Sequence, residues 1–429
     1  MRSSKHLDML LFVWYILFFI SVVFFFRAIS SISIGLILIT GLVKNKTDTG
    51  SWLNSGLLNP FLATCVLFYL VQIIPILSGS NFTERVNIIQ FKSGLLFIPF
   101  AMCCSKYLNE TNRHKLMKYY VWILAAALFY CLLLASYHYY FLQSPNDVFF
   151  YHQLVSPIRQ HAVQVSIFMF SGFVYLFEEL KKGKYFHNKQ IHFTLLFYFT
   201  CCILLLSSKL VIAFTAGCLV YYCFLFLKQR LQARYIIFIS LFTGIAMIML
   251  VLSTQNKVSK RFNEIMTGDL TLVQQQNYHP EIYFNGLQFR LIQWRFVSEI
   301  LTEHHAWLAG VSADAQSLLN KKYTSTGMYI GDKTTPDRGF IGYNTQAQFL
   351  ESLLQSGIAG LLVFVLICTA MIAMATGRNN RELTFMVILI IAYCFNESVF
   401  ESQYGIILFT FLPLFLYYGT AGTKKEVPY

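Results

Sequence analysis

The chain has 429 residues, a formal net charge of +13, and 56% hydrophobic, 17% aromatic but only 12% charged residues. Soluble domains hold about 25% charge, and their apolar runs rarely reach the ~20 residues that cross a bilayer. That balance excludes an ordinary soluble enzyme and predicts a chain built for the membrane.

Apolar runs recur along the whole length, and counting them predicts an all-α integral membrane fold. About twelve transmembrane helices are expected, at 9–26, 28–43, 61–77, 88–104, 119–136, 161–177, 191–206, 210–227, 235–252, 347–375, 383–396 and 404–418. The first run follows Arg2 and Lys5 in the manner of a signal peptide, but it has no small-x-small cleavage site and continues into a second apolar run. It therefore reads as an uncleaved span. The fourth holds Gln90, Lys92 and Pro99, so a kinked or partly re-entrant helix is expected there. Irregular backbone survives at membrane depth only against protein or water. One large polar block, 253–346, separates spans nine and ten, dividing the chain into 1–252, 253–346 and 347–429.

Charge predicts the orientation. With the N-terminus inside, 19 of the 33 Lys/Arg fall in inner segments and five in short outer ones: Arg27, Arg85, Lys92, Arg159 and Lys209. The rest lie in the block, and long translocated segments largely escape the positive-inside rule. Both termini are expected to be cytoplasmic and the block external. The positive charge then reflects this bias and attraction to anionic membrane lipid, with no call for nucleic acid. All ten cysteines fall in apolar runs, without metal-ligand spacing or a disulfide framework. They read as small apolar core residues.

Within the block, 288–303 has apolar residues at Leu291, Trp294, Val297, Ile300 and Leu301, a helical spacing that fits an amphipathic helix on the outer membrane surface. Arg290 and Trp294 are four apart and share a face. Gly310 follows this helix. Ser312 is placed to cap a second one, with Asp314 in its first turn and Lys321 and Lys322 later. The Gly- and Thr-rich stretch 327–342 reads as loop.

Several stretches together resemble the bacterial O-antigen ligase/O-antigen polymerase family of lipid-linked glycan transferases. Arg290-x-x-x-Trp294, Gly310-Val-Ser-Ala-Asp314 and Leu319-Asn-Lys-Lys-Tyr323 are similar to its outer-loop pattern. The run Asn344 to Gly360 resembles its His-Asn-x-x-Leu-x6-Gly-x-x-Gly junction. His161-Ala-Val-Gln-Val-Ser166 is similar to the His-Pro-Thr-Tyr-Phe-Ser of one branch. Ser207-Ser-Lys209 looks like that branch's Ser-Ser-Arg/Lys, and Glu397-Ser-Val-Phe-Glu-Ser-Gln-Tyr-Gly405 its Glu-Ser-x-Leu-Glu-Arg-Gln-x-Gly. Three positions depart: Gln346 stands where the family has histidine, Ala162 where the branch has proline, and Ser402 where it has arginine. A glutamine amide cannot exchange a proton near neutral pH. The resemblance therefore implies a polymerase-like member using another base, or one whose activity is altered or lost.

The chemistry so implied is attack by an acceptor hydroxyl on a sugar C1 that carries a polyprenyl diphosphate leaving group, at the outer face of the bacterial inner membrane. No cofactor or metal is expected, because positioned arginines can neutralise a diphosphate. The donor is a lipid-linked oligosaccharide; a flippase and a chain-length regulator are further candidate partners.

Candidate catalytic residues are His161, Gln346 and Glu351, the last an intramembrane carboxylate that could equally cap a helix or bridge two. Candidates for binding diphosphate or substrate are Arg290, Arg159, Arg338, Lys209, Arg295 and Trp294; the cations could alternatively anchor to headgroups. Asp314, Glu397 and Glu401 complete the set, the two glutamates sharing a face or lying in a water-exposed loop. Gly357 and Gly360 suggest tight helix packing. Tyr137, Tyr139, Tyr140, Phe149, Phe150 and Tyr151 suit either sugar stacking or interface anchoring.

Polymerase is favoured over ligase because the ligase histidine is replaced. A flippase or exporter of lipid-linked sugars would also accommodate twelve spans. Such transporters are built from related halves, however, and the block has no counterpart in the first half. A relative that binds glycan-lipid without turning it over is the third alternative.

Overall fold

The computed structural model describes residues 2–53, 55–77, 82–227, 269–279, 282, 284–328, 339–378 and 380–418. The expected span 235–252, the start of the block and Arg338 lie outside the described residues.

Among the described residues the fold is all-helical. The first half supplies α1 (Arg2–Val23), α2 (Arg27–Thr49), α3 (Pro60–Leu77), α4 (Phe82–Lys92), α5 (Gly94–Cys104), α6 (Glu110–Phe141), the short α7 (Tyr151–Val155), α8 (Ala162–Lys181), α9 (Lys189–Leu205) and α10 (Lys209–Leu227). The polar block contributes α11 (Gly286–Glu303) and α12 (Ala315–Ser325). The chain then returns through α13 (Gln348–Gly377), α14 (Arg381–Cys394) and α15 (Gln403–Tyr418).

The helix α15 is apolar on every side and sits at the centre of the bundle: every residue from Tyr404 to Leu416 is buried. It packs against α5, α14 and α13, while α8, also largely buried, touches α9, α14 and α10. Aromatic rings lock this centre to the N-terminal hairpin, with Phe411 4.6 Å from Phe18. Phe129, Phe197 and Leu362 point outward from the bundle, as side chains do when the surroundings are as apolar as the core.

Six of these helices are long and apolar enough to cross a membrane: Ser4–Val23, Arg27–Thr49, Glu110–Phe141, Ala162–Lys181, Lys209–Phe226 and Gln348–Gly377. Of the twelve expected spans, six correspond to these full-length helices, and shorter apolar helical stretches lie at Pro60–Ile74, Ile88–Cys104, Lys189–Leu205 and Gln403–Tyr418 among the described residues. The fourth expected span is two helices. It breaks at Ser93, where Gly94 comes close to Ile406, while Pro99 lies inside α5. The 119–136 run extends to a 32-residue helix because Asn109 caps α6 further upstream, accepting from the Asn112 N–H at 2.9 Å.

In the block, α11 has a defined start and a buried face. Asn285 and Gln288 form a capping box that starts it at Gly286. Its apolar face (Phe289, Ile292, Phe296, Val297, Ile300 and Leu301) packs into a core of the block's own, together with Leu319 and Tyr323 of α12 and Ala347, Leu350 and Leu354 at the start of α13. Leu291 and Trp294 lie off that face, Trp294 being exposed. The helix is therefore the spine of a small folded unit seated on α13. Ser312 does not cap α12: the helix begins after a tight 3-10 turn, Ser312–Asp314, and its N-cap position makes no side-chain hydrogen bond.

Candidate functional site

The block seats itself on α13 through backbone. At Ser356 and Gly357 the helix departs from helical geometry (φ 63°, ψ −160° at Gly357), so α13 is two segments meeting at a kink. The chain after α11 fills the notch. Ile358 donates its N–H to the Trp307 carbonyl at 2.8 Å, and Val311 donates to the Leu354 carbonyl at 2.8 Å. A Cβ on Gly357 would overlap the Leu308 carbonyl, and one on Gly310 would overlap the backbone of Gln355 and Ser356. Both glycines have left-handed φ. Gly357 thus serves a loop-to-helix seam, not the helix–helix packing its sequence suggested.

Below this seam lies a polar cavity of about 420 Å³. Its walls come from Gln72 of α3, Ile88, Phe91 and Lys92 of α4, Ser312, Ala313, Ala315 and Gln316 of the block, Glu351 and Gln355 of α13, and Glu401 before α15. Glu351 and Lys92 are each 3% exposed. A charge so placed is tolerated only when paired and hydrogen-bonded, and these are. The Glu351 carboxylate accepts from the Thr345 N–H at 3.1 Å, the Thr345 hydroxyl at 2.7 Å and the Gln355 amide at 2.6 Å. That amide also donates to Glu401 at 2.9 Å. Lys92 closes the chain, 3.4 Å from the Glu401 carboxylate and donating to the side-chain oxygens of Gln72 and Gln355. Two carboxylates, joined by one amide and answered by one ammonium, therefore face a common space. The Gln72 amide nitrogen and the Ser312 hydroxyl are buried without partners, and both residues line that space. Orphaned polar groups on a cavity wall are what a polar ligand or ordered water satisfies.

The 396–402 loop, between α14 and α15, joins this cavity to a second cluster. Ser398 contacts the Thr345 hydroxyl at 3.3 Å, and the Phe400 N–H donates to the Gln348 side chain at 2.7 Å. At the other end of the loop, Arg290 of α11 donates to the Asn396 carbonyl at 3.3 Å while its Nε is buried and unpaired. Burial pushes the Glu397 carboxyl up to about 7, with the Arg290 guanidinium pulling the other way. Burial also lowers the arginine's own pKa, against the attraction of Glu397 and the Tyr151 phenol. His161, the residue before α8, has its ring 4.5 Å from His152, and its Nδ1 is buried without a hydrogen-bond partner. Burial first, and His152 second, push it down to about 4. His161 is neutral at pH 7 but a weak base.

The expected site residues therefore separate. Glu351 and Glu401 meet in the cavity, and Glu351 holds the turn before its own helix through Thr345 while reaching Glu401 only by way of Gln355. Arg290, Glu397 and His161 belong to the adjoining cluster. Gln346 has left-handed φ (49°) and its N–H is fixed by Asn344 at 3.0 Å, but it is not among the residues lining the cavity. Arg295 is a clasp: it donates to the Val273 and Gln275 carbonyls, both at 2.6 Å, and pairs with Glu299 at 3.2 Å. Trp294, Asp314 and Arg159 are exposed, Lys209 begins α10, and none of them lines the cavity.

The sequence reading missed Lys92, Gln72 and Gln355 as site residues. Lys92 had a signal, being a cation within an apolar run; it was counted only as a kink marker and an outer charge. Among the described residues, no group of three or more His, Cys, Asp or Glu side chains is placed to hold a metal ion.

No protein-family model matches the chain, and comparison with curated proteins finds no match. Among the described residues, fold and site define a class by themselves: an all-helical arrangement with six helices long and apolar enough to cross a membrane, and a charged cavity at the start of one of them, α13.

Proposed function

We propose that the chain is a polyprenyl-diphosphate-dependent glycosyltransferase of the O-antigen polymerase/ligase type, working at the outer face of the bacterial inner membrane, with polymerase favoured. The single observation that carries this reading is the cavity: Glu351, Glu401 and Lys92 converge at a membrane-helix mouth beneath a folded polar unit. Surface glycosyl transfer from a lipid carrier needs these parts. The acceptor hydroxyl attacks the sugar C1, its proton passes to Glu351 or Glu401, and the C1–oxygen bond breaks with its electron pair leaving on the diphosphate. Lys92 supplies positive charge to that leaving group. Arg290 positions the 396–402 loop, and thereby Glu401. Proton removal moves from the family's histidine position, Gln346, to a carboxylate. Partners on this reading are the lipid-linked oligosaccharide, a second glycan as acceptor, a flippase that delivers the donor and a chain-length regulator.

Deleting the gene and analysing surface glycan tests the class and the favoured member. Loss of long chains with single repeats still attached marks a polymerase; loss of all attached glycan marks a ligase; unchanged glycan sinks the proposal. With the purified chain and a lipid-linked repeat, Glu351→Gln or Glu401→Gln should lower turnover ~10²-fold or more, since a general base contributes 10²–10⁴-fold. Full turnover in both variants removes the carboxylates from the chemistry.

A further inference from the structure

We propose that the opposite end of the bundle carries a binding site for the phosphate headgroup of an anionic lipid. α3 runs from Pro60 to the Gln72 cavity wall, α13 from Glu351 to the residue before Arg378, and α15 from beyond Glu401 to Tyr418. Their far ends surround a separate cavity of about 480 Å³, whose polar lining includes Asn59, Ser105, Lys106, Arg378 and Tyr418. The lining holds two cations and no carboxylate. Its walls are fixed in place. The Asn59 amide donates to the Tyr418 hydroxyl at 3.1 Å, and that hydroxyl donates to the Gly56 carbonyl at 3.3 Å. The Arg378 guanidinium lies 4.6 Å above the centre of the Tyr417 ring, which orients its planar fork at the rim. Lys106 stands exposed at the mouth.

One helix, α3, starts at this cavity while α5, α13 and α15 end at it, so its positive charge comes from the Lys106 and Arg378 side chains and not from helix dipoles. Leu58, Pro60 and Leu108 supply an apolar wall beside the charges. A free anion has no use for that wall; the glycerol and first methylenes of a lipid do. The Lys/Arg bias of the loops puts this end at the inner leaflet, where anionic lipid is concentrated and juxtamembrane cations attract it. The site is distinct in place and charge from the Glu351–Lys92 cavity.

The test is the thermal unfolding midpoint of the full chain in neutral detergent, titrated separately with dioleoylphosphatidylglycerol, dioleoylphosphatidylcholine and inorganic phosphate. A ligand that binds only the folded state raises the midpoint by mass action. Phosphatidylglycerol should raise it, with phosphatidylcholine and inorganic phosphate giving little. Lys106→Gln combined with Arg378→Gln should remove most of the rise, whereas Lys189→Gln, an exposed cation elsewhere, should leave it intact. Should the double variant fail to fold, Lys106→Glu alone, at the exposed mouth, must weaken the phosphatidylglycerol response. A full response in either variant overturns the site, and an equal rise with inorganic phosphate overturns its assignment to a lipid.

Discussion

Glu397 and His161 respond to acid in opposite senses. Glu397 is raised from 4.5 to about 7, so between those values the folded chain holds a proton that the unfolded chain has released, and stability falls as pH rises through that window. His161 is lowered from 6.5 to about 4, so the unfolded chain holds the extra proton, and stability rises with pH from about 4 to 6.5. The two effects oppose each other over most of the mildly acidic range. Glu397→Gln should therefore leave a chain whose unfolding midpoint climbs more steeply between pH 5 and roughly 6.5, where His161 alone acts. His161→Gln should leave one whose midpoint declines toward pH 7. Midpoints measured across that range in detergent decide it, and two variants with the wild-type slope would show that neither group titrates as described.

At the scale of elements, the seam between the 306–311 turn and the α13 kink governs the site. Gly357→Ala asks an L-residue to hold φ 63°, ψ −160° and places a methyl against the Leu308 carbonyl. Backbone strain and overpacking of this kind cost about 3 kcal/mol. The expected outcome is a lower unfolding midpoint with the 420 Å³ cavity disturbed, since Gln355 is the last residue before the kink; a midpoint equal to wild type would mean the seam is slack. Much of this was legible in sequence and some was not. Gly357 was conspicuous, but helix packing and loop docking demand the same residue, and only the docked partner tells them apart. The α11 helix was visible from its spacing, yet Leu291 and Trp294 stood in the apolar stripe where the structure buries Phe289, Ile292 and Phe296, which also fit a helical stripe. Lys92 was readable as an intramembrane cation. Its partners Gln72 and Gln355 were not, for they lie 20 and 263 residues away and only the packing of α3, α4 and α13 brings them together. The length of each span was less legible than its presence: hydropathy finds apolar runs, while a run such as 88–104 folds as two short helices where neighbours can satisfy the backbone between them.

Across the whole molecule the two cavities sit at opposite ends of the same helices, which makes orientation the property on which everything else depends. The loop charges predict that Ser298, exposed on α11, faces the cell exterior and that Lys184, exposed after α8, faces the cytoplasm. Eight of the ten native cysteines are buried, so an impermeant maleimide should find little background in the wild-type chain. Labelling of Ser298→Cys but not Lys184→Cys in intact spheroplasts is the expected result. The reverse pattern would turn the molecule over, and with it the membrane face assigned to each cavity.

The seam between block and helix is written in peptide groups, and peptide groups are common to every residue. Ile358 and Val311 donate through their backbones, so these hydrogen bonds do not depend on which side chains the two residues carry. Only Gly310 and Gly357 are bound to their identity by it. Such a joint lets the outer faces of the polar unit change while the seat beneath stays constant. Variation is channelled outward, and the two glycines form the hinge-pin about which it turns.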